Sequence, residues 1–410
     1  MLFPYKCIYK MISFTKITFI CVDKCIYIDY IKCTYKVSIA YTNGGHMEKP
    51  SMIGYINDQP RALRSTFDNR HIFTGPLEKI FAKGSFRRIY ILGSGTSYHA
   101  SIAASHYFEK YAGIEAVADI PTHFTNYTQL KGDPEEILVI GISQSGTSVS
   151  TIEAVRKAEK AGCVTVAITD AMDSLITKET DNVVKLTCGV EEIPIETRGY
   201  SVTVLEMYLI ALCAAHTCGK LNDEEYAQVL KQTSAALDLH EKELAKTKAW
   251  YERNKEELLA MRHGVIAAYG LNECTAKEGV LKMYETFKQP MNSYDIEEMI
   301  HGPHMAFKDS TYVFISASNE TEYPKVPRFL QWFKDNEVTD HVFLFTNGTM
   351  GTDEKGISFD PSIPDDLTPL FFTLPYQITA AENCIACGID TSVRPARRKA
   401  FAHIYREDQE

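Results

Sequence analysis

The chain has 410 residues, 45% of them hydrophobic and 23% charged, a balance that excludes wholesale disorder and leaves room for two domains of ordinary size. Its formal charge of -10 argues against a nucleic-acid binder, because polyanions are held by clusters of Lys and Arg that this chain lacks over most of its length. The expected ligand is a small molecule.

In chain order, the first 46 residues differ from everything after them: they are crowded with Ile, Tyr, Lys, Phe and Cys, and carry Cys7, Cys21, Cys25 and Cys33. A signal peptide fits poorly, because Lys16, Asp23 and Lys24 interrupt the apolar stretches, and no uncharged span there is long enough to cross a bilayer. The segment is expected to stand outside the domains. Codons for Gly44 and Gly45 can carry a purine-rich ribosome-binding sequence just ahead of Met47, so translation is expected to begin at Met47. The alternative is a genuine extension, disordered or packed as an extra strand.

From Arg87, RRIYILGSGTSYHASIAASHYFEKY reads as an apolar strand, a glycine turn and a long helix. The same grammar returns at Glu136 with the run ILVIGI, the turn SQSGTS, a helix over 149–160, Gly162 as its stop, and VTVAITD as the next strand. Such alternation predicts a parallel sheet wrapped by helices, an α/β protein. Residues 221–258, rich in Glu, Lys, Ala and Leu at helical spacing, supply connecting helices. VIAAYGLNECTAKEGVLKMYETF then repeats strand, turn and helix; TYVFISAS gives a strand, a helix runs through Phe333, and VFLFTN is the next strand. One layout therefore occurs twice, and the chain reads as duplicated. Cys384 and Cys387 form a CxxC with no second pair at zinc-ribbon distance, so reduced thiols in a cytoplasmic protein are the favoured reading.

In such a sheet, ligands lie beyond the C-terminal strand ends, where the next helix offers unpaired amides and the positive end of its dipole. Ser97, Ser143, Ser145, Thr147 and Ser148 add hydroxyls at two strand ends, and Gly95 and Gly146 let the backbone come close. This reads as a phosphate cradle without a charged side chain, suited to a phosphorylated metabolite rather than a nucleotide. Ser and Thr are equally common as helix N-caps.

GSGTS at 93–97 and SQSGTS at 143–148 resemble the two sugar-phosphate loops of the SIS (sugar isomerase) domain family. The resemblance runs from Asn57 to Lys399. It is closest to the double-SIS isomerase half of glutamine-fructose-6-phosphate aminotransferase, the fructosamine-6-phosphate deglycases and the aminosugar-6-phosphate deaminases. It implies two tandem SIS domains, each a doubly wound parallel sheet flanked by helices: a lead-in at 47–75, domains at 76–245 and 246–393, and a tail at 394–410 that contributes to the site. By the same resemblance Gly95, Thr96, Ser97, Ser143, Gln144, Ser145, Gly146, Thr147 and Ser148 bind the sugar phosphate.

Glu278, Lys282 and Glu285 stand at i, i+4 and i+7 and share one helix face, a pattern that by itself favours a solvated salt-bridge face. The resemblance implies instead that Glu285 moves a proton between sugar carbons C1 and C2, with Glu278 and Lys282 matched beside it. In EEMIHGPHMAF, Gly302 and Pro303 read as a helix stop, and the Gly-Pro step makes His301 and His304 poor metal ligands; no metal is expected. By resemblance His301 opens the sugar ring and reaches the site from the partner of a homodimer or higher homo-oligomer. Lys399 falls where a lysine meets the open-chain carbonyl. ETRGYSVT, from Glu196, departs from the usual STK sequence, placing Thr197 and Arg198 in a loop that faces substrate.

The odd 46 residues and a short lead cannot supply the glutaminase domain of the aminotransferase. The expectation is therefore a cytoplasmic enzyme, needing no metal or organic cofactor, that cleaves a ketosamine 6-phosphate of the fructoselysine or glucoselysine type to a hexose 6-phosphate and an amine. An aminosugar-6-phosphate deaminase or isomerase, and a non-catalytic sugar-phosphate sensor, are the alternatives. Neither nucleic acid nor a membrane is expected as a partner.

Overall fold

The computed structural model describes residues 18–22, 25–29, 50–319, 323–348 and 352–392. The chain divides into two compact units, Met1–Lys49 and Pro50–Glu410. In the first, β1 (Thr18–Val22) pairs antiparallel with β2 (Cys25–Asp29). The expected start at Met47, the basic tail and Lys399 lie outside the described residues.

The second unit opens with α1 (Met52–Asp68), capped by the Ser51 hydroxyl, and α2 (His71–Lys83). Then follow β3 (Arg88–Leu92), α3 (Thr96–Tyr107), β4 (Glu115–Asp119), α4 (Pro121–Tyr127), β5 (Ile137–Ile142), α5 (Val149–Lys160), β6 (Val164–Thr169) and β7 (Val183–Lys185). The strands form an all-parallel sheet in the order β4-β3-β5-β6-β7. Every residue of β5 is buried, which explains its unbroken apolar run: a parallel strand covered by helices on both faces has no water side. The order in which strands are added reverses between β3 and β5, the switch point where an open α/β sheet forms its crevice.

Two long helices lead to the second half: α6 (Arg198–Thr217) and α7 (Asp223–Ala260), the latter begun by a reciprocal Asn222/Glu225 capping box. α6 is long and apolar enough to cross a membrane, but it is buried almost all round inside the fold and is a core helix. The expected connecting helices at 221–258 are thus one 38-residue helix.

β8 (Gly264–Ala268), α8 (Glu273–Glu285), β9 (Met291–Asp295), α9 (Ile296–Met299), β10 (Tyr312–Ala317), α10 (Val326–Asp335), β11 (Val342–Thr346), β12 (Ile357–Ser358) and α11 (Thr368–Ala386) complete the chain. The second sheet, β12-β11-β10-β8-β9, is also all parallel and has the strand order of the first. The duplicated layout read from the sequence is present. Side chains alternate across each sheet: Ile89 and Ile91 join Tyr312 and Phe314 in one continuous core, while Tyr90 and Leu92, like Val313 and Ile315, pack against the outer helices. The shared core also holds residues of α1, α6, α7, α8 and α11, so the inner helices form a common layer that brings α8 of the second half against α3 of the first. Each large apolar side chain buried there contributes about 1.5–3 kcal/mol.

At the second switch point the hydroxyl of Ser316, at the tip of β10, is spent on Tyr376 Oη at 2.7 Å and is fully buried. The corresponding tips of the first sheet have a different fate.

Candidate active site

β3 and β5 end in the turns 93–97 and 143–148, and between them lies a cleft of about 490 Å³. Ser94, Ser97, Ser143, Gln144, Ser145, Thr147 and Ser148 line it, and among the described residues no Lys, Arg or His does. The Ser145 and Thr147 hydroxyls lie 3.0 Å apart, and the Thr151 hydroxyl donates to Ser148 Oγ at 3.1 Å. α5 starts at Val149, so its first amides open beside these hydroxyls, where an anion is favoured.

Two glycines give the turns their shape. A methyl group on Gly93 would lie 2.6 Å from the Ser97 carbonyl carbon, because the first turn of α3 folds directly over it. Gly146 has φ +63°, and a methyl group there would fall 1.8 Å from Ser174 Oγ. The Gly146→Ala variant is therefore expected to lose about 1–3 kcal/mol of stability to backbone strain alone, read from urea unfolding; an unchanged midpoint would show that the turn is soft.

Behind the cleft, α8 presents Glu278, Lys282 and Glu285. The face is not solvated: Glu278 and Lys282 are fully buried, which corrects the reading from spacing alone. Lys282 Nζ lies 3.1 Å from Glu278 Oε1 and 2.8 Å from Glu285 Oε2. His99, one turn into α3, approaches Glu278 Oε2 with Nδ1 at 2.7 Å. An ionised carboxylate only accepts, so Nδ1 carries the proton. Burial alone would raise the Glu278 carboxyl, but Lys282 and His99 more than offset this and hold it below its ordinary value. Burial likewise opposes the charge on Lys282, yet the carboxylates of Glu278 and Glu285 hold its pKa well above the ordinary range. Glu285 keeps about a fifth of its side chain exposed, more than Glu278 or Lys282, but it is not part of the cleft wall.

Thr96 joins the two halves. Its hydroxyl donates to Glu278 Oε1 at 3.2 Å and accepts from Lys282 Nζ at 3.4 Å. It is buried and absent from the cleft wall, so its place is behind the cradle rather than in it.

The loop before α6 differs from expectation. Arg198 turns to Asp58 Oδ2 (2.7 Å) and the Val190 carbonyl (3.1 Å) and lies over the Tyr55 ring, away from the cleft. Thr197 gives both its amide and its hydroxyl to Glu191, which also accepts from the Gly199 amide at 2.6 Å. Glu191 thus caps α6, and neither Thr197 nor Arg198 faces a ligand in this chain. The residues that do line the cleft on this side are Glu191, Glu196 and Asp170. Burial pushes the Glu196 carboxyl up to about 8, with the nearby Glu191 adding to it. Asp170 is matched by Lys185 at 2.6 Å. The acidic wall is therefore largely neutralised and does not forbid an anion in the cradle.

His301 sits exposed in the turn after α9, outside the cleft wall. Cys384 is buried and Cys387 exposed, both free. Among the described residues no cluster of His, Cys, Asp and Glu could hold a metal ion. His99, Glu191 and Glu196 escaped the sequence reading. The only signal for His99 was its place one turn beyond Gly95.

Residues 85–215 match the SIS domain family. A glutamine-fructose-6-phosphate aminotransferase (isomerizing) from Clostridium tetani is 29% identical over 371 residues, covering 83% of this chain and 56% of that one, so the chain spans little more than half of that relative. A Clostridium difficile 630 protein assigned as a phosphosugar isomerase superposes with TM-score 0.78 at 27% identity, covering 88% of this chain and 99% of that one. The C-terminal domain of glucosamine-fructose-6-phosphate aminotransferase from Francisella tularensis shares the fold, with TM-score 0.76 at 23% identity, covering 85% and 99%. Both turns at the switch point of the first sheet fall within residues 85–215, the part of the chain that matches the SIS domain.

Proposed function

We propose that the cleft holds a sugar 6-phosphate and that the chain cleaves the C–N bond of a ketosamine 6-phosphate, releasing a hexose 6-phosphate and an amine. The observation that carries this reading is the Thr96 bridge: the turn that would bind the phosphate is hydrogen-bonded to the buried Glu278–Lys282 pair, whose neighbour Glu285 opens outward. A phosphate anchored by neutral hydroxyls and amides would leave the reactive end of the sugar beside a carboxylate.

The chemistry needs no further electron acceptor. In the open-chain ketosamine, Glu285 takes a proton from C1, the electron pair forms C1=C2 as the C2=O double bond opens, and the C2 oxygen takes up a proton from solvent, giving the C1–C2 enaminol. Returning the proton to C2 makes C1=N, and water adds to that imine and expels the amine. Lys282, 2.8 Å away, orients Glu285 for the first step. His301 would assist ring opening from a second copy of the chain. Exposed Ile300 and Met305 flank it, apolar surface that suits a homodimer contact. Lys399 is retained as the residue expected to meet the carbonyl. The free cysteines among the described residues suit a reducing, cytoplasmic compartment. Similarity to the aminotransferase supports a nitrogen-bearing hexose phosphate as the substrate class.

The test is a panel of ketosamine and aminosugar 6-phosphates with glucose 6-phosphate, fructose 6-phosphate and ammonia detected separately. Hexose 6-phosphate with an equal amount of free amine from a ketosamine is the expected outcome. Ammonia from glucosamine 6-phosphate alone would replace it with a deaminase, and tight binding without turnover with a sensor.

A further inference from the structure

We propose that Glu196 receives the nitrogen-bearing end of the substrate, so that the cleft selects sugar phosphates carrying a basic nitrogen over their neutral counterparts. This rests on the sugar-phosphate reading above and adds to it a residue that determines specificity.

Three carboxylates border the cleft, and two are occupied. Asp170 is paired with Lys185, and Glu191 accepts the amide and hydroxyl of Thr197 and the amide of Gly199. Glu196 accepts no hydrogen bond among the described residues, and the helix end it could have capped is already capped by Glu191. It is an acceptor in the wall of the cleft with no donor among the described residues, an arrangement that is costly unless a donor arrives.

Its position fits that use. A methyl group built on Gly199 would lie 2.6 Å from Glu196 Oε1 and 3.0 Å from Gln144 Nε2, which sets the carboxylate beside the cradle residue Gln144. On its other side it feels the charges of Lys282, Glu278 and Glu285. Glu196 thus lies near both Gln144 of the cradle and the α8 group, the region to which a sugar anchored by the cradle would bring C1 and its substituent. Among the described residues Lys282 is a cation whose charge reaches Glu196, and it is already shared by Glu278 and Glu285. A protonated amine brought in by the ligand offsets the burial that disfavours the Glu196 carboxylate, so that the group gives up its proton and pairs with the ammonium, and burial makes that pairing stronger than it would be in water.

The test uses inert open-chain probes that cannot undergo proton transfer between C1 and C2: glucitol 6-phosphate and 1-amino-1-deoxyglucitol 6-phosphate, which differ at C1 alone. Calorimetric titration of the full chain is expected to show the amino compound binding about tenfold or more tightly. In Glu196→Gln and Glu196→Ala that preference should shrink to within about twofold, while affinity for the neutral probe, which also reports correct folding, stays as in the wild type. A preference that survives both substitutions, or is absent from the wild type, overturns the assignment of Glu196 and leaves the sugar-phosphate reading standing. Failure of the wild type to bind either probe removes both.

Discussion

Glu285→Gln is expected to cut turnover by about 100- to 10,000-fold while leaving sugar-phosphate affinity within about threefold of the wild type. The amide keeps the shape and the acceptor oxygen that faces Lys282 Nζ at 2.8 Å, so the helix and the Glu278–Lys282 pair stay in place. What is lost is the ability to take a proton from carbon. Steady-state kinetics on the substrate the panel identifies, with calorimetry on the same variant, separate the two effects. Near-full activity would remove Glu285 from the mechanism; loss of binding with activity intact at saturation would make it a positioning group.

Lys282→Met carries the largest expected effect on stability. The methionine fills the same space, but Glu278, fully buried, is left with Thr96 and His99 as its neighbours and no fixed cation. Breaking one side of such a pair costs about 3–5 kcal/mol, measurable by urea unfolding. The pH dependence gives a sharper check. In the wild type the Glu278 pKa is held below its ordinary 4.5, so its contribution to stability is present above that value and is lost as pH falls through the folded-state pKa. Without Lys282, burial dominates and the folded-state pKa rises above 4.5, so the carboxyl destabilises most at neutral pH. The difference between variant and wild type should therefore narrow as pH falls from about 7 towards 5. A constant difference would mean the lysine acts by packing alone.

Much of the fold was legible in the sequence because parallel strands covered on both faces become short unbroken apolar runs, and their turns require glycine. ILVIGI is buried along its whole length, and the helix expected at 149–160 has those ends in the structure, set by Ser148 and Gly162. The place of the two serine-rich turns was legible for the same reason, since a turn after such a strand has a defined position at the switch point. The environment of α8 was not. Glu, Lys and Glu at that spacing describe a wet face and a dry one equally well, and only the approach of Thr96 and His99, from about 180 residues earlier in the chain, decides between them. Arg198 misled for a related reason: a guanidinium near a ligand loop is a natural candidate for substrate contact, but Asp58 on α1 takes it. Glu196 was hidden because its meaning lies in the partner it lacks.

The strand tips of the two sheets have different fates, with consequences for how a doubled gene product divides its labour. Ser316 has been drawn inward to Tyr376, so its hydroxyl is not offered to a ligand. What it contributes is α8, lent across the seam to complete the first half. On the proposed mechanism neither portion is a smaller version of the whole: severed from each other, one would be a receptacle without an acid or base, the other an acid and base with nothing to act upon.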